Sequence, residues 1–247
     1  VMGGIADYSG ALVLQKAIHN KTTVTYEPGS GSLLECYTTI SGATTYTESI
    51  HLSELLPFVQ SENFIGLRDY FKSKQIKNWM LYVAGCFLLA HHTQRMPLVG
   101  GKLSIVSDVP LGKGVSSSAS LEVAILKVLQ QAHQIHFSEN ELPILAQKVE
   151  NWVVGAPCGL MDQLASYFGS NTTLLPILCQ PDKVLPPLAI PEQVYFVGID
   201  SGERHAIEGA SYTDVRVAAF MGHQIINHKL GTTAESALKS IAAGQRM

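Results

Sequence analysis

No C-x-x-C pair occurs in this chain. Its four cysteines, Cys36, Cys86, Cys158 and Cys179, are scattered, which excludes the paired-cysteine zinc and redox motifs and implies free thiols in a reducing, cytoplasmic compartment. Charge is sparse as well. Only 15% of residues are charged, the net charge is −3, and no basic run exists. That balance excludes nucleic acid or an anionic membrane surface as the main partner. No span reaches the roughly 20 apolar residues a bilayer requires, and the most apolar run, 79–90, reads as a buried helix. The histidines, including the His91-His92 pair, show no metal-ligand spacing with acids or cysteines. There is no internal repeat. The P-loop pattern G-x-x-x-x-G-K-[ST] is missing too, so a phosphate site in this chain is built differently.

What remains is an apolar chain, 46% hydrophobic over 247 residues, long enough for one large or two modest domains. Its first half alternates as strands do, over 11–18, 22–26 and 33–40, with turns at Pro28-Gly29 and Gly31. Short helices are expected over 52–59 and 67–74, and a longer one over 78–94. A strand over 102–107 follows, then helices over 117–132 and 139–154, the latter with Leu142, Leu145, Val149 and Trp152 at helical spacing. Beyond lie a helix over 161–168, strands over 173–179 and 194–200, and helices over 212–228 and 233–243. Four prolines mark 181–191 as a linker. Early strands and later helices indicate an α+β layered fold.

The segment PLGKGVSSSASLEVAILKVLQQA, 110–132, is a glycine-broken loop feeding a long helix. Gly112 and Gly114 accept φ > 0 and allow close approach of a ligand. Ser116, Ser117 and Ser118 stand at the helix start, where free N–H groups and the helix dipole favour anions. Their hydroxyls suit either a helix cap or a hard cation. Without a ligand, the same pattern describes a well-capped core helix.

Three further constellations stand out. Asp7 lies among glycines in GGIADYSG, where it reaches a ligand hydroxyl or closes an Asx-turn. Glu150 and Asp162 flank the break GAPCG at 155–159, as a metal ligand and a base, or as a surface carboxylate and a helix cap. Asp200-Ser201-Gly202-Glu203-Arg204-His205, with Tyr212 beyond, ends an apolar strand where ligand contacts are common.

Taken in order, GGIADYSGALVL, PLGKGVSSSASLEVA, GAPCGLMDQ and DSGERHAIEGASY resemble the GHMP small-molecule kinases, and within them the galactokinase branch. The resemblance implies the GHMP kinase fold. A domain of the ribosomal protein S5 type would fill 1–192 and a ferredoxin-like domain would begin over 193–247. It implies transfer of the γ-phosphate of ATP to the anomeric hydroxyl of a sugar, assisted by Mg²⁺. On the matching positions, Gly112, Gly114 and Ser116 to Ser118 form the phosphate loop, and Ser118 with Glu150 binds Mg²⁺. Asp162 accepts the sugar hydroxyl proton, Asp7, Gly159 and Tyr212 touch the sugar, and Trp79 and Tyr82 lie on a helix approaching the adenine. A cation and a basic group beside Asp162 would depress its pKa.

One departure bears on the substrate. The galactokinase branch reads G-E-H-T-D-Y in the first block, where its Glu and His bind the 6-hydroxyl; those positions are Gly4 and Ile5 here. L-Arabinopyranose shares the ring-hydroxyl arrangement of galactose and lacks that group. Facing Ile5, a buried galactose O6 would go unpaired, at roughly 1–3 kcal/mol. The resemblance therefore implies L-arabinose as substrate. A galactokinase with an altered pocket and a non-catalytic sugar and ATP sensor are the alternatives. The P-G-R that precedes the first block in the family, and its glycine-rich third motif, are absent from these residues. A fragment trimmed at both ends, and inactive as it stands, is the expectation.

Overall fold

The computed structural model describes residues 11–40, 44–138, 140–179 and 182–200, with Gly202 and scattered positions between 214 and 231. Gly4, Ile5, Asp7 and Tyr212, and the helix expected over 233–243, lie outside the described residues.

The larger sheet contains β2 (Thr22–Pro28), β3 (Leu33–Ile40), β4 (Thr44–His51) and β5 (Gly101–Ser107), in the order β2-β5-β3-β4. β5 runs antiparallel to β2, with Thr25 opposite Ser104, and parallel to β3, with Cys36 opposite Leu103. A parallel pair cannot be closed by a tight turn. β4 and three helices make the crossover: α1 (Leu52–Gln60), α2 (Phe64–Ser73) and α3 (Trp79–Gln94). Period-2 alternation turns Leu103, Ile105 and Ser107 of β5 inward and leaves Lys102, Ser104 and Val106 exposed. α2 starts three residues before the expected Leu67, because the Asn63 side chain caps it by accepting from the Gly66 N–H at 3.0 Å.

α3 is buried from Met80 to Ala90 except at half-buried Tyr82, as expected of a helix apolar on nearly every face. No helix among the described residues is long and apolar enough to cross a membrane. Its Gly85 lets a neighbouring turn come close: a Cβ there would meet Val149 Cγ1 at 2.6 Å and Val153 Cγ1 at 3.1 Å. Both obstacles are stiff β-branched side chains in the core. Gly85→Ala is therefore expected to cost about 1–3 kcal/mol, read as a lowered midpoint of urea unfolding.

The smaller sheet is centred on β6 (Thr173–Leu178), which pairs with β1 (Leu12–Gln15), β7 (Lys183–Val184) and β8 (Leu188–Ala189). A second apolar cluster, including Val13, Leu164, Leu175 and Ile177, seats α6 (Met161–Phe168) on this sheet.

Two expectations need correction. The proline-rich stretch 181–191 is not a plain linker, since β7 and β8 both add to β6. The strand expected over 194–200 does not form: no described strand pairs with it, and Ile199 is 89% exposed. Alternating apolar residues make a strand only where a ladder partner and a covering layer exist.

Candidate functional site

The glycine loop and the two candidate carboxylates meet at one place. Gly112 and Gly114 have φ of 66° and 68°, and Ser116 also takes the left-handed conformation, φ 60°, ψ 48°. Alternate left-handed residues turn successive N–H groups toward one concavity, which suits an anion. A Cβ on Gly114 would enter open space, so nothing in the protein fills that side of the loop. Strain at Ser116, a non-glycine residue, is typical of ligand-holding turns.

α4 (Ser117–His133) starts immediately after this turn, and no side chain caps it. The serine hydroxyls go elsewhere. Ser116 hydrogen-bonds the Asp162 carboxylate and Ser118 the Glu150 carboxylate, lowering the pKa of each. Ser120 donates to Thr22 Oγ1 at 2.9 Å and ties the first turn of α4 to β2. The first amides of α4 are thus left for a ligand, which distinguishes this arrangement from a self-capped core helix.

Glu150 does not lie on an ordinary helix. The helix expected over 139–154 is α-helical only as α5 (Glu141–Lys148), and Val149–Val154 is a π turn. The wider turn is closed by Gly155 at φ 80°, and the Gly155 and Ala156 N–H groups both donate to the Glu150 carbonyl at 3.0 Å. Arg68 Nη1 donates to the carbonyls of Trp152 and Val153 at 2.8 and 3.2 Å, satisfying groups the helix end leaves open. Such π turns concentrate at functional sites. This one presents Glu150, 2% exposed, toward Ser118.

Glu150 Oε2 accepts from Gln163 Nε2 at 2.9 Å and from the Cys158 thiol at 3.5 Å. Burial is nonetheless the largest influence on Glu150 and raises its pKa, and the charge of Asp162 adds to the rise. Asp162, in the first turn of α6, is raised by burial, with Ser116 opposing. The expected depression of Asp162 is conditional on a cation and a basic group beside it, and the rise here belongs to the carboxyl without them. Among the described residues no lysine or arginine pairs with Asp162.

One buried acid escaped the sequence reading. Glu122, on α4, is wholly buried, and burial followed by the charge of Glu150 holds its pKa well above the usual range. Its signal was a charged residue on the stripe of Ala119, Val123, Leu126 and Leu129 that α4 buries. A folded-state pKa above the unfolded one stabilises fully below the unfolded value, about 4.3 for glutamate. That contribution is lost as pH rises through the raised value. Glu122→Gln removes this titration, so its Tm should fall less than that of the wild type as pH is raised.

Trp79, Tyr82, Leu111, Gly112, Gly114, Ser116 to Ser118 and Leu121 line one cleft of about 210 Å³. The Trp79 indole N–H is itself buried and without a partner. A larger hollow of about 400 Å³ lies at the Gly29–Gly31 turn, and none of the four sequence blocks lines it. Gly159 stands between Cys158, whose N–H donates to Asn151 Oδ1 at 2.8 Å, and α6. From the last block, Asp200 pairs with Lys113 of the glycine loop at 2.9 Å and accepts from the Gly202 N–H at 2.9 Å. His91 is structural, its Nδ1 within 2.6 Å of the Met96 carbonyl. All four cysteines are free.

Two sheets carry this loop, with an acid on a π turn and another at the start of α6, in one α+β domain. Residues 81–170 match the GHMP kinases N terminal domain, and this part of the chain is a GHMP kinase N-terminal domain. It is 36% identical to the L-arabinokinase of Arabidopsis thaliana over 99% of its own length, covering 26% of that protein. It is 40% identical to the galactokinase of Chloroflexus aggregans (strain MD-66 / DSM 9485) over 63% of the chain and 39% of that enzyme. The fold resembles Lactococcus lactis galactokinase, solved with galactose, at a TM-score of 0.68 and 21% identity, covering 87% of this chain and 51% of that one. The chain thus spans about a quarter to two fifths of these two curated relatives.

Proposed function

We propose that the full protein transfers the γ-phosphate of ATP to the anomeric hydroxyl of L-arabinose, giving L-arabinose 1-phosphate and ADP. The observation that carries this reading is the pair of hydrogen bonds Ser116–Asp162 and Ser118–Glu150. They bring both carboxylates to the mouth of an uncapped, left-handed glycine loop.

On this reading the N–H groups of Gly112 to Ser118 cradle the phosphates, and Trp79 and Tyr82 border the base. The open side of Gly114 and the unspent Trp79 N–H support a nucleotide in the cleft. Mg²⁺ also fits. Among the described residues no cluster of three or more His, Cys, Asp or Glu side chains could hold a metal alone, and Mg²⁺ typically takes one or two carboxylates and completes its shell with phosphate oxygens and water. Ser118 and Glu150 would hold it, and it would neutralise charge on the β- and γ-phosphates. Asp162 accepts the proton of the anomeric hydroxyl as the sugar oxygen bonds to the γ-phosphorus. The bond from that phosphorus to the β,γ-bridging oxygen breaks, and its electron pair leaves with ADP. A pKa raised by burial suits this role, because a stronger base takes the proton more readily near neutral pH.

Asp7, Gly159 and Tyr212 would hold the ring hydroxyls, with Gly4 and Ile5 facing C5. Residues 1–192 would form the nucleotide- and sugar-binding domain and 193–247 the start of a second. Four free thiols support a cytoplasmic setting. Galactose as acceptor is the second reading, favoured by the 40% identity to a galactokinase. The test is ³¹P NMR of the full-length protein incubated with MgATP and L-arabinose. A sugar 1-phosphate resonance rising with ADP is expected. Binding of both ligands with no new phosphate ester would overturn the enzyme in favour of a sensor.

A further inference from the structure

The π turn that carries Glu150 ends on two carbonyls for which the local backbone has no donor. The carbonyls of Trp152 and Val153 would ordinarily accept from N–H groups four or five residues on, between positions 156 and 158. None of the three is free. The Ala156 N–H goes to the Glu150 carbonyl at 3.0 Å. Pro157 has no N–H. The Cys158 N–H goes to Asn151 Oδ1 at 2.8 Å. The donor comes from α2 instead: Arg68 Nη1 reaches both carbonyls, at 2.8 and 3.2 Å. Its guanidinium also lies against Gly155, where a Cβ would meet Arg68 Cζ at 3.0 Å and Nη1 at 3.1 Å. Among the described residues Arg68 has no carboxylate partner, so its charge is spent on these carbonyls as charge-assisted bonds.

The effect falls on Glu150. In an α-helical turn the Ala156 N–H would pair with the Trp152 carbonyl. Because Arg68 takes that carbonyl, the Ala156 N–H goes to Glu150, whose carbonyl also accepts from the Gly155 N–H at 3.0 Å. Tightening to α would undo both bonds and rotate the chain beyond by roughly 100°, one residue's share of a turn. That chain holds the partners of the Glu150 side chain. The Cys158 thiol donates to Glu150 Oε2 at 3.5 Å, and Gln163 Nε2 donates to the same oxygen at 2.9 Å, one residue beyond Asp162. The two acids therefore keep their spacing only while the turn stays wide.

We propose that Arg68 is a positioning residue: by taking the Trp152 and Val153 carbonyls it holds the π turn wide, and so keeps the Glu150 carboxylate where it would hold the metal. This rests on the nucleotide-site reading above.

The test uses the full-length protein and Mn²⁺ as probe. Binding is followed by electron paramagnetic resonance in the presence of ADP, at a temperature where each variant keeps the circular dichroism of the wild type. Arg68→Met should weaken Mn²⁺ binding by about 10–100-fold, the range for a group that orients a metal ligand, with metal-free ADP affinity unchanged. Arg68→Lys should recover most of that loss, because one nitrogen makes both bonds and an ammonium can take its place. Wild-type Mn²⁺ affinity in Arg68→Met would overturn the proposal. So would an equal loss of metal-free ADP binding, or a lysine variant no better than the methionine one. If Arg68→Met does not fold, Arg68→Gln carries the same prediction, and wild-type Mn²⁺ affinity there would overturn the proposal equally. A wild-type protein that binds no Mn²⁺ with ADP overturns the site reading itself, and the proposal with it.

Discussion

Asp162→Asn lowers kcat for sugar phosphorylation by roughly 10²–10⁴-fold, the range a positioned base supplies. The substitution is nearly isosteric. Asparagine Oδ1 still accepts from the Ser116 hydroxyl that Asp162 engages, so the glycine loop keeps its anchor. What disappears is the basicity that burial raises. ATP affinity and Tm should therefore stay close to wild type while kcat collapses. The check is steady-state kinetics on the full-length protein, with nucleotide binding measured beside it. An unchanged kcat would remove Asp162 from the proton transfer. A parallel loss of ATP affinity would make it part of the phosphate cradle instead.

Glu150→Gln should lower kcat/KM for MgATP by roughly 10²-fold or more, since a metal held at the transferring phosphate contributes several kcal/mol. Stability should move the opposite way. Burial raises the pKa of Glu150, so near neutral pH an ionised Glu150 is a cost to the fold that glutamine does not carry. The sign follows the same linkage as for Glu122: protonation stabilises at low pH, and the benefit is lost as pH rises through the raised pKa. Tm of the variant at pH 7 should equal or exceed that of the wild type, in keeping with functional groups held against stability. Calorimetry and kinetics on one preparation test both halves. A variant that loses activity and Tm together would make Glu150 a structural residue.

The elements legible in the sequence are those whose burial pattern is their own. α3 is apolar on all sides and α6 spans its expected 161–168. The glycine loop was legible because only a ligand or a turn asks for glycines at 112 and 114 before three serines. What depended on partners was not. β4 is an edge strand, TTYTESIH, whose register comes from β3. The π turn that carries Glu150 looks like a continuing helix, since Val149 and Trp152 keep helical spacing, and the widening comes from close packing against Gly85 and the Gly155 cap. The left-handed Ser116 and the sealed Glu122 left no local mark apart from one acid on an apolar stripe. The burial that raises the Asp162 pKa left no mark on its sequence neighbours either.

The most direct measurement is kcat/KM of the full-length protein for L-arabinose and for D-galactose, with ATP as donor and the two sugars assayed side by side. On the proposed reading, Gly4 and Ile5 replace the Glu and His that bind the 6-hydroxyl in the galactokinase branch the sequence resembles. The account predicts turnover of both or of arabinose alone, with L-arabinose ahead by about 5- to 150-fold, the equivalent of the 1–3 kcal/mol lost on an unpaired O6. Galactose turned over as well as or better than arabinose would contradict the assignment of substrate.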